Sequence, residues 1–148
     1  MNIATLNTAL RAAITAYADT LNTWAQAAYT KNHNFIDRKD VRNAPIADNC
    51  PCCLLTPDTK EMSHESPIHF NNFLLDVIVE DESSSGFANL EAYRVHLQTC
   101  IETYARSQGL AMVGIIVDYD LDSSYPMLWC GMQIKFKQHK TIGQNPIT

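Results

Sequence analysis

At 148 residues the chain has the length of one ordinary domain, and with 46% hydrophobic and 18% charged residues it can bury a core and is no disordered tail. Its net charge of -5, with the basic residues gathered locally only at Lys135, Lys137 and Lys140, argues against direct DNA or RNA binding, which calls for a basic stripe.

The opening "MNIATLNTALRAAITAYADTL" lacks the basic start and continuous apolar run of a secretory signal. No window approaches the ~20 apolar residues of a membrane span. Five cysteines without an export signal read as reduced thiols, so a soluble protein made in a cytosol is expected.

Along Ile3 to about Tyr29, the residues Ile3, Leu6, Leu10, Ile14, Tyr17, Leu21, Trp24 and Ala28 recur in steps of three and four on an alanine-rich background. That spacing predicts one long helix. "TKNHNFIDRKDVRNAPIADN" is polar and irregular and reads as a long connection. Cys50 to Thr56 is a short apolar run closed by Pro57-Asp58, which predicts a strand. After the unpatterned "KEMSHESP", Phe73, Leu75, Val77 and Val79 alternate with Asn72, Asp76 and Glu80, the mark of a half-buried strand over His69 to Glu80. The acidic, serine-rich "EDESSSG" closes it.

Asn89 reads as an N-cap with Glu91 in the first turn. Leu90, Tyr93, Leu97, Ile101 and Tyr104 then keep helical spacing up to Gly109, a natural stop. In the last third, Val113, Ile115, Val117, Tyr119 and Leu121 alternate against Gly114, Asp118, Asp120 and Asp122. Beyond "DSSYP", Leu128, Cys130, Met132, Ile134 and Phe136 alternate against Trp129, Gln133, Lys135 and Lys137. These are the two strands of a hairpin. The tail from about residue 138 reads as extended.

The expected fold is therefore α+β: a single domain over 1–148 in the order α-β-β-α-β-β, with a four-stranded, mainly antiparallel sheet and two helices packed on one face. Asp76, Glu80, Asp118, Asp120, Lys135 and Lys137 fall on the other face, which must meet water or a polar partner.

Candidate chemistry begins with "NCPCCLL", where Cys50, Cys52 and Cys53 put three of the five cysteines into four positions. Structural zinc calls for two ligand pairs on turns, and the remaining thiols, Cys100 and Cys130, fall in a helix and a strand. In a strand Cys50 and Cys52 point to one side and Cys53 to the other, so the cluster reads as packing, without a metal. No local feature supplies the low-pKa setting of a catalytic thiol. "HESPIH", His64 to His69, is one residue too long for the helical zinc motif, and Pro67 denies it a helix interior. "DYDLDSSYPMLW" begins like a calcium loop at Asp118, Asp120 and Asp122, but Ser123 stands where the sharp-turn glycine belongs and Trp129 where the bidentate glutamate belongs. No nucleophile-elbow, phosphate-loop, dinucleotide or kinase signature occurs. The sequence assigns no catalytic, cofactor-binding or metal residue.

The N-terminal helix leads through "FIDRKDVRNAPIADNCPCCLL" into the first strand. "NNFLLDVIVE", the helix "NLEAYRVHLQTCIETY" and the closing hairpin "VGIIVDYDLDSSYPMLWCGMQIKFK" follow. In that order of elements, over most of its length, the chain resembles the tail-terminator proteins of long-tailed bacteriophages, the lambda minor-tail-protein-U kind. The resemblance implies a structural, non-enzymatic protein of the virion tail, assembled in the host bacterial cytoplasm. It implies a six-membered ring that caps the finished tail tube, ends its polymerisation and offers the head-attachment surface. Its partners would be further copies of itself, the tail tube protein and a head-completion or connector protein, with DNA passing through the lumen unread. Such a ring closes through heterologous contacts. Three other readings fit the same chain: another neck or tail-completion part, a small acidic immunity or inhibitor protein whose Asp118, Asp120, Asp122 and Glu80–Glu82 imitate phosphate charge, or an enzyme with a cysteine-bound metal.

Overall fold

Residues 68–80 form the longest strand together with its partner, and the rest of the chain is arranged around that pair. The computed structural model describes residues 2–36, 46–58 and 68–139. Among them the elements run α1 (Ile3–Ala16), α2 (Ala18–Tyr29), β1 (Asn34–Phe35), α3 (Ile46–Asn49), β2 (Cys52–Asp58), β3 (Ile68–Glu80), α4 (Gly86–Ser107), β4 (Met112–Asp120) and β5 (Met127–His139). The five strands form one sheet in the order β1-β2-β3-β5-β4. β3 is antiparallel to β5 from Ile68↔His139 to Glu80↔Met127, and to β2 from Cys52↔Ile78 to Asp58↔Asn72.

This corrects the expected four-stranded sheet with two helices. The class is α+β, but the sheet is five-stranded and mixed, because β1 runs parallel to β2 with Asn34 opposite Cys52 and Phe35 opposite Cys53. Two residues are too few to show a period of two, so "NF" inside a polar stretch carried no strand signal. Its bonds are nonetheless made: Asn34 N–H donates to the Pro51 carbonyl at 2.9 Å, and Ile36 N–H to that of Cys53 at 3.0 Å. The single N-terminal helix is two, interrupted at Tyr17, whose ψ is 4°. The apolar stripe passes through that residue without a change of spacing, and neither glycine nor proline marks it. Thr15 Oγ1 donates to the Arg11 carbonyl at 2.9 Å just before the break, a back-bond of the kind that bends helices.

The helical layer covers one sheet face. Asn2 caps α1 by accepting from Thr5 N–H at 2.8 Å, which sets where the helix begins. Leu6, Leu10 and Ile14 of α1, Leu21 of α2, and Leu90, Tyr93, Leu97 and Ile101 of α4 are buried against Phe73, Leu75, Val77 and Val79 of β3 and Leu128 to Phe136 of β5. These are the residues that the two periodicities select. α4 starts at Gly86, three residues before the predicted cap, and it stops as expected: Gly109 takes φ 65° and Leu110 N–H reaches back to the Ala105 carbonyl at 2.9 Å. β2 begins at Cys52 and carries through Pro57 and Asp58, which the sequence reading took for its closing turn. β1 flanks β2 only at Cys52 and Cys53, so among the described residues no strand lies beyond Pro57, and the missing N–H costs no ladder bond.

On β4 an irregularity between Met112 and Gly114 shifts the register and places Met112 opposite Phe136. Val113 is thereby 51% exposed, not inward as its alternation implied; Ile115 and Val117 do pack on the core. Tyr119 stays on the helical side but lies at the rim, its ring 5.4 Å from that of Phe87 and its hydroxyl donating to Glu91.

The opposite sheet face carries Asp76, Asp118, Asp120, Lys135 and Lys137 as expected, but it is not uniformly polar. Ile36, Cys50, Cys52, Leu54 and Ile78 form a second buried cluster there, with Met127 and Trp129 packed on it. The Trp129 indole lies across Gly131 and donates from Nε1 to Asp76 Oδ1 at 2.8 Å. A Cβ on residue 131 would stand 2.3 Å from Trp129 Cζ2. Among the described residues no helix is long and apolar enough to cross a membrane.

The Trp129–Gly131 fit gives a first test. Gly131→Ala should push the indole off Asp76 and lower stability by roughly 1–3 kcal/mol. Urea unfolding of the two proteins, with near-ultraviolet circular dichroism following the indole, measures both effects; an unchanged midpoint and spectrum would show that the indole does not need the glycine.

Candidate functional site

Polar chemistry among the described residues concentrates where β3 ends, beside the start of β2. Directly after β3, Asp81 is 8% exposed and receives four hydrogen bonds. Tyr29 Oη donates to Oδ2 at 2.7 Å, Asn89 Nδ2 to Oδ2 at 2.9 Å, and the Ser83 N–H and hydroxyl both donate to Oδ1. Burial alone would raise the carboxyl pKa; the bonds from Asn89, Ser83 and Tyr29 outweigh it and hold the group at about 2. Burial and the adjacent Asp81 carboxylate together push the Tyr29 hydroxyl well up, so it stays a donor. This carboxylate ties α2 and α4 to the end of the central strand.

Next to it lies a cleft of about 160 Å³ bounded by Tyr29, Lys31, Cys50, Pro51 and Glu80. Cys50 forms part of its wall and is 3% exposed, while Cys52 is fully buried behind it. The neighbouring Cys52 thiol is the main reason that the Cys50 pKa is lowered; burial and Glu80 oppose it and Lys31 assists. The Cys52 thiol shifts the other way, through the same interaction with Cys50 and through its own burial.

Cys53 faces the helical layer, as strand alternation requires. Burial pushes its thiol to about 12, against the pull of a hydrogen bond from Tyr93. Tyr93 Oη also lies 3.0 Å from His33 Nδ1, and the Trp24 indole stacks on the Tyr93 ring at 4.6 Å. His33 is 9% exposed, and burial lowers its pKa, which favours the neutral ring. His33, Tyr93 and Cys53 thus make a polar line through the core.

The structure places the other candidates as follows. Cys100 is buried, its Sγ 3.4 Å from the Ala13 carbonyl, and Cys130 is in the main core; burial raises them to about 11 and about 12. All five cysteines are buried, as the packing reading required. Most of "HESPIH" lies outside the described residues. In the calcium-like stretch Asp120 accepts from the Asp122 and Ser123 N–H groups and the Ser123 hydroxyl, so it caps a turn. Among the described residues no three His, Cys, Asp or Glu side chains come together as metal ligands would. Sequence reasoning passed over Asp81 as one charge of an acidic loop. "DES" does carry a signal: an Asp that bonds the N–H two residues on is the side chain of an Asx turn.

No protein-family model matches the sequence, and no curated protein matches it.

Asp81 and His33 set a pH dependence with a defined sign. Both have folded pKa values below their ordinary ones of 3.8 and 6.5, so the unfolded chain binds more protons and stability falls on acidification. The His33 contribution is complete above 6.5 and declines below it; that of Asp81 is complete above 3.8 and is lost as pH falls through about 2. Asp81→Ala should cost roughly 1.5–3 kcal/mol at neutral pH and remove the acid limb below 3.8. Urea midpoints measured across the acid range test this, and parallel curves for the two proteins would contradict it.

Proposed function

We propose that the chain is a structural subunit of a bacteriophage tail, of the tail-terminator kind. In this reading it closes the finished tube as a homo-oligomeric ring, six-membered in the simplest case, and carries the surface to which the head attaches. It contacts the tail tube protein on one side and a head-completion protein on the other, and it resides in the virion tail.

The observation that carries this reading is the one-sided build of the sheet. Three helices seal one face, while the other face and the β4 edge leave Phe70, Val113 and Ile116 39%, 51% and 55% exposed. Among the described residues, a sealed core on one side and, on the other, a sheet edge with exposed apolar side chains make two unlike surfaces, as heterologous ring contacts need. The resemblance in element order supports the reading only from β2 onward, where β2 and β3, then α4, then β4 and β5 follow one another; before β2 the order differs, with two helices, a short strand and a short helix. That likeness is associational support.

The test is genetic and structural together. Deleting the gene from its phage should yield tails of uncontrolled length or tubes without heads in the lysate. Val113→Glu with Ile116→Lys, at exposed positions, should leave the fold within about 0.5 kcal/mol of the parent and give the same tail defect. Normal, infective virions from the deletion would overturn the reading.

A further inference from the structure

We propose that Cys50 and Cys52 form a reversible thiol–disulfide site that a small disulfide enters through the cleft beside Tyr29, Lys31 and Glu80, with Cys50 the attacking sulfur and Cys52 the resolving one. The proposal stands apart from the assembly reading and does not depend on it.

Three features place the two sulfurs for this chemistry. Cys50 and Cys52 share one face of the sheet, in the small cluster with Ile36, Leu54 and Ile78, whereas Cys53 turns into the main core. Only Pro51 separates the two cysteines, and a disulfide needs Cα atoms about 4.4–6.8 Å apart, a spacing within reach of residues two apart. Cys50 precedes the β2 ladder, which begins at Cys52, so its backbone is not tied into strand pairing.

The pair is also polarised. Cys50 is the member that borders the cleft, while Cys52 does not line it and is fully buried. Lys31 on the cleft wall favours a Cys50 thiolate, with Glu80 opposing it. A thiolate held by a neighbouring thiol and a cation is the attacking sulfur of an exchange site. Cys53, Cys100 and Cys130 lack this setting: burial pushes their thiols to about 12, 11 and 12.

Cys50 loses its proton, and the thiolate attacks one sulfur of the small disulfide; that S–S bond breaks and one thiolate departs. Cys52 gives its proton to the departing thiolate and attacks Cys50 Sγ, which expels the second thiolate. Two thiols of the protein become one disulfide, and the small disulfide takes up two electrons and two protons to become two thiols. Excess small thiol reverses every step.

The experiment uses the full chain, reduced, freed of reductant and exposed to oxidised glutathione, then quenched with acid, alkylated and digested for mass spectrometry. In the wild-type peptide that carries Cys50, Cys52 and Cys53, the first two should lose two hydrogen masses and escape alkylation while Cys53 takes one alkyl group, located by fragmentation; Cys100 and Cys130 are alkylated. Cys52→Ser should accumulate glutathione on Cys50, at least roughly tenfold faster than Cys50→Ser accumulates it on Cys52. Early glutathionylation of Cys100 or Cys130 in a variant reports unfolding, and the wild-type digest then decides alone. A wild-type peptide that stays fully alkylated, a bridge that includes Cys53, or equal rates in the two variants would overturn the proposal.

Discussion

The structure depends on β3. Its thirteen residues are paired to β5 along their full length and to β2 over more than half of it. Because alternate side chains of a strand point to opposite faces, fixing β3 in register assigns every neighbour to a face. Val77 at the centre opposes Cys53 and Cys130, and all three go into the main core; Ile78 opposes Cys52 and Trp129, and these go to the other side. A slip of one residue would send the Phe73, Leu75, Val77 and Val79 side chains to the open face and bring Asp76 under the helices. The burial of those four apolar residues, each 0% exposed, is what forbids the slip.

From that constraint the chemistry follows at the strand's end. Asp81 emerges directly after β3, where α2 and α4 meet the sheet, and its four hydrogen bonds join the helical layer to the strand. The β2–β3 register holds Cys52 on the opposite face, where Cys50 packs in the same small cluster. The cleft with Tyr29 and Glu80 lies between these two features, so one short region carries both the structural carboxylate and the polarised thiols. The exposed side chains of the open face and of the β4 edge lie elsewhere on the molecule, which separates an assembly surface from a reactive one.

Long periodic segments were legible in the sequence. The faces of β3 and β5, the stripe of α4 and its glycine stop, and the opposite directions of Cys52 and Cys53 follow from periods of 2 and 3.6 alone. What failed to show was short or aperiodic. β1 has two residues and α3 four, below the length at which any period can be counted. The break at Tyr17 leaves the stripe's spacing intact. The irregularity near Gly114 inverts Val113, because alternation counts residues and a bulge adds one. Of the site, the cysteine cluster was visible, but the cleft beside it is built with Tyr29 and Glu80, which are distant in sequence. Asp81 was hidden among the acidic residues of its loop, since charge composition does not tell a solvated carboxylate from a buried one.

β3 with β5 is the rigid frame, and β4 is an edge strand among the described residues. Hydrogen exchange of backbone amides on the isolated chain tests it most directly, because each strand's protection reports its own opening free energy. The slowest exchange is expected in Phe73 to Val79 and in Leu128 to Phe136, with clearly faster exchange in Met112 to Asp120, where β5 is the only strand neighbour among the described residues. Protection in β4 equal to that in β3, or fast exchange across Phe73 to Val79, would contradict it.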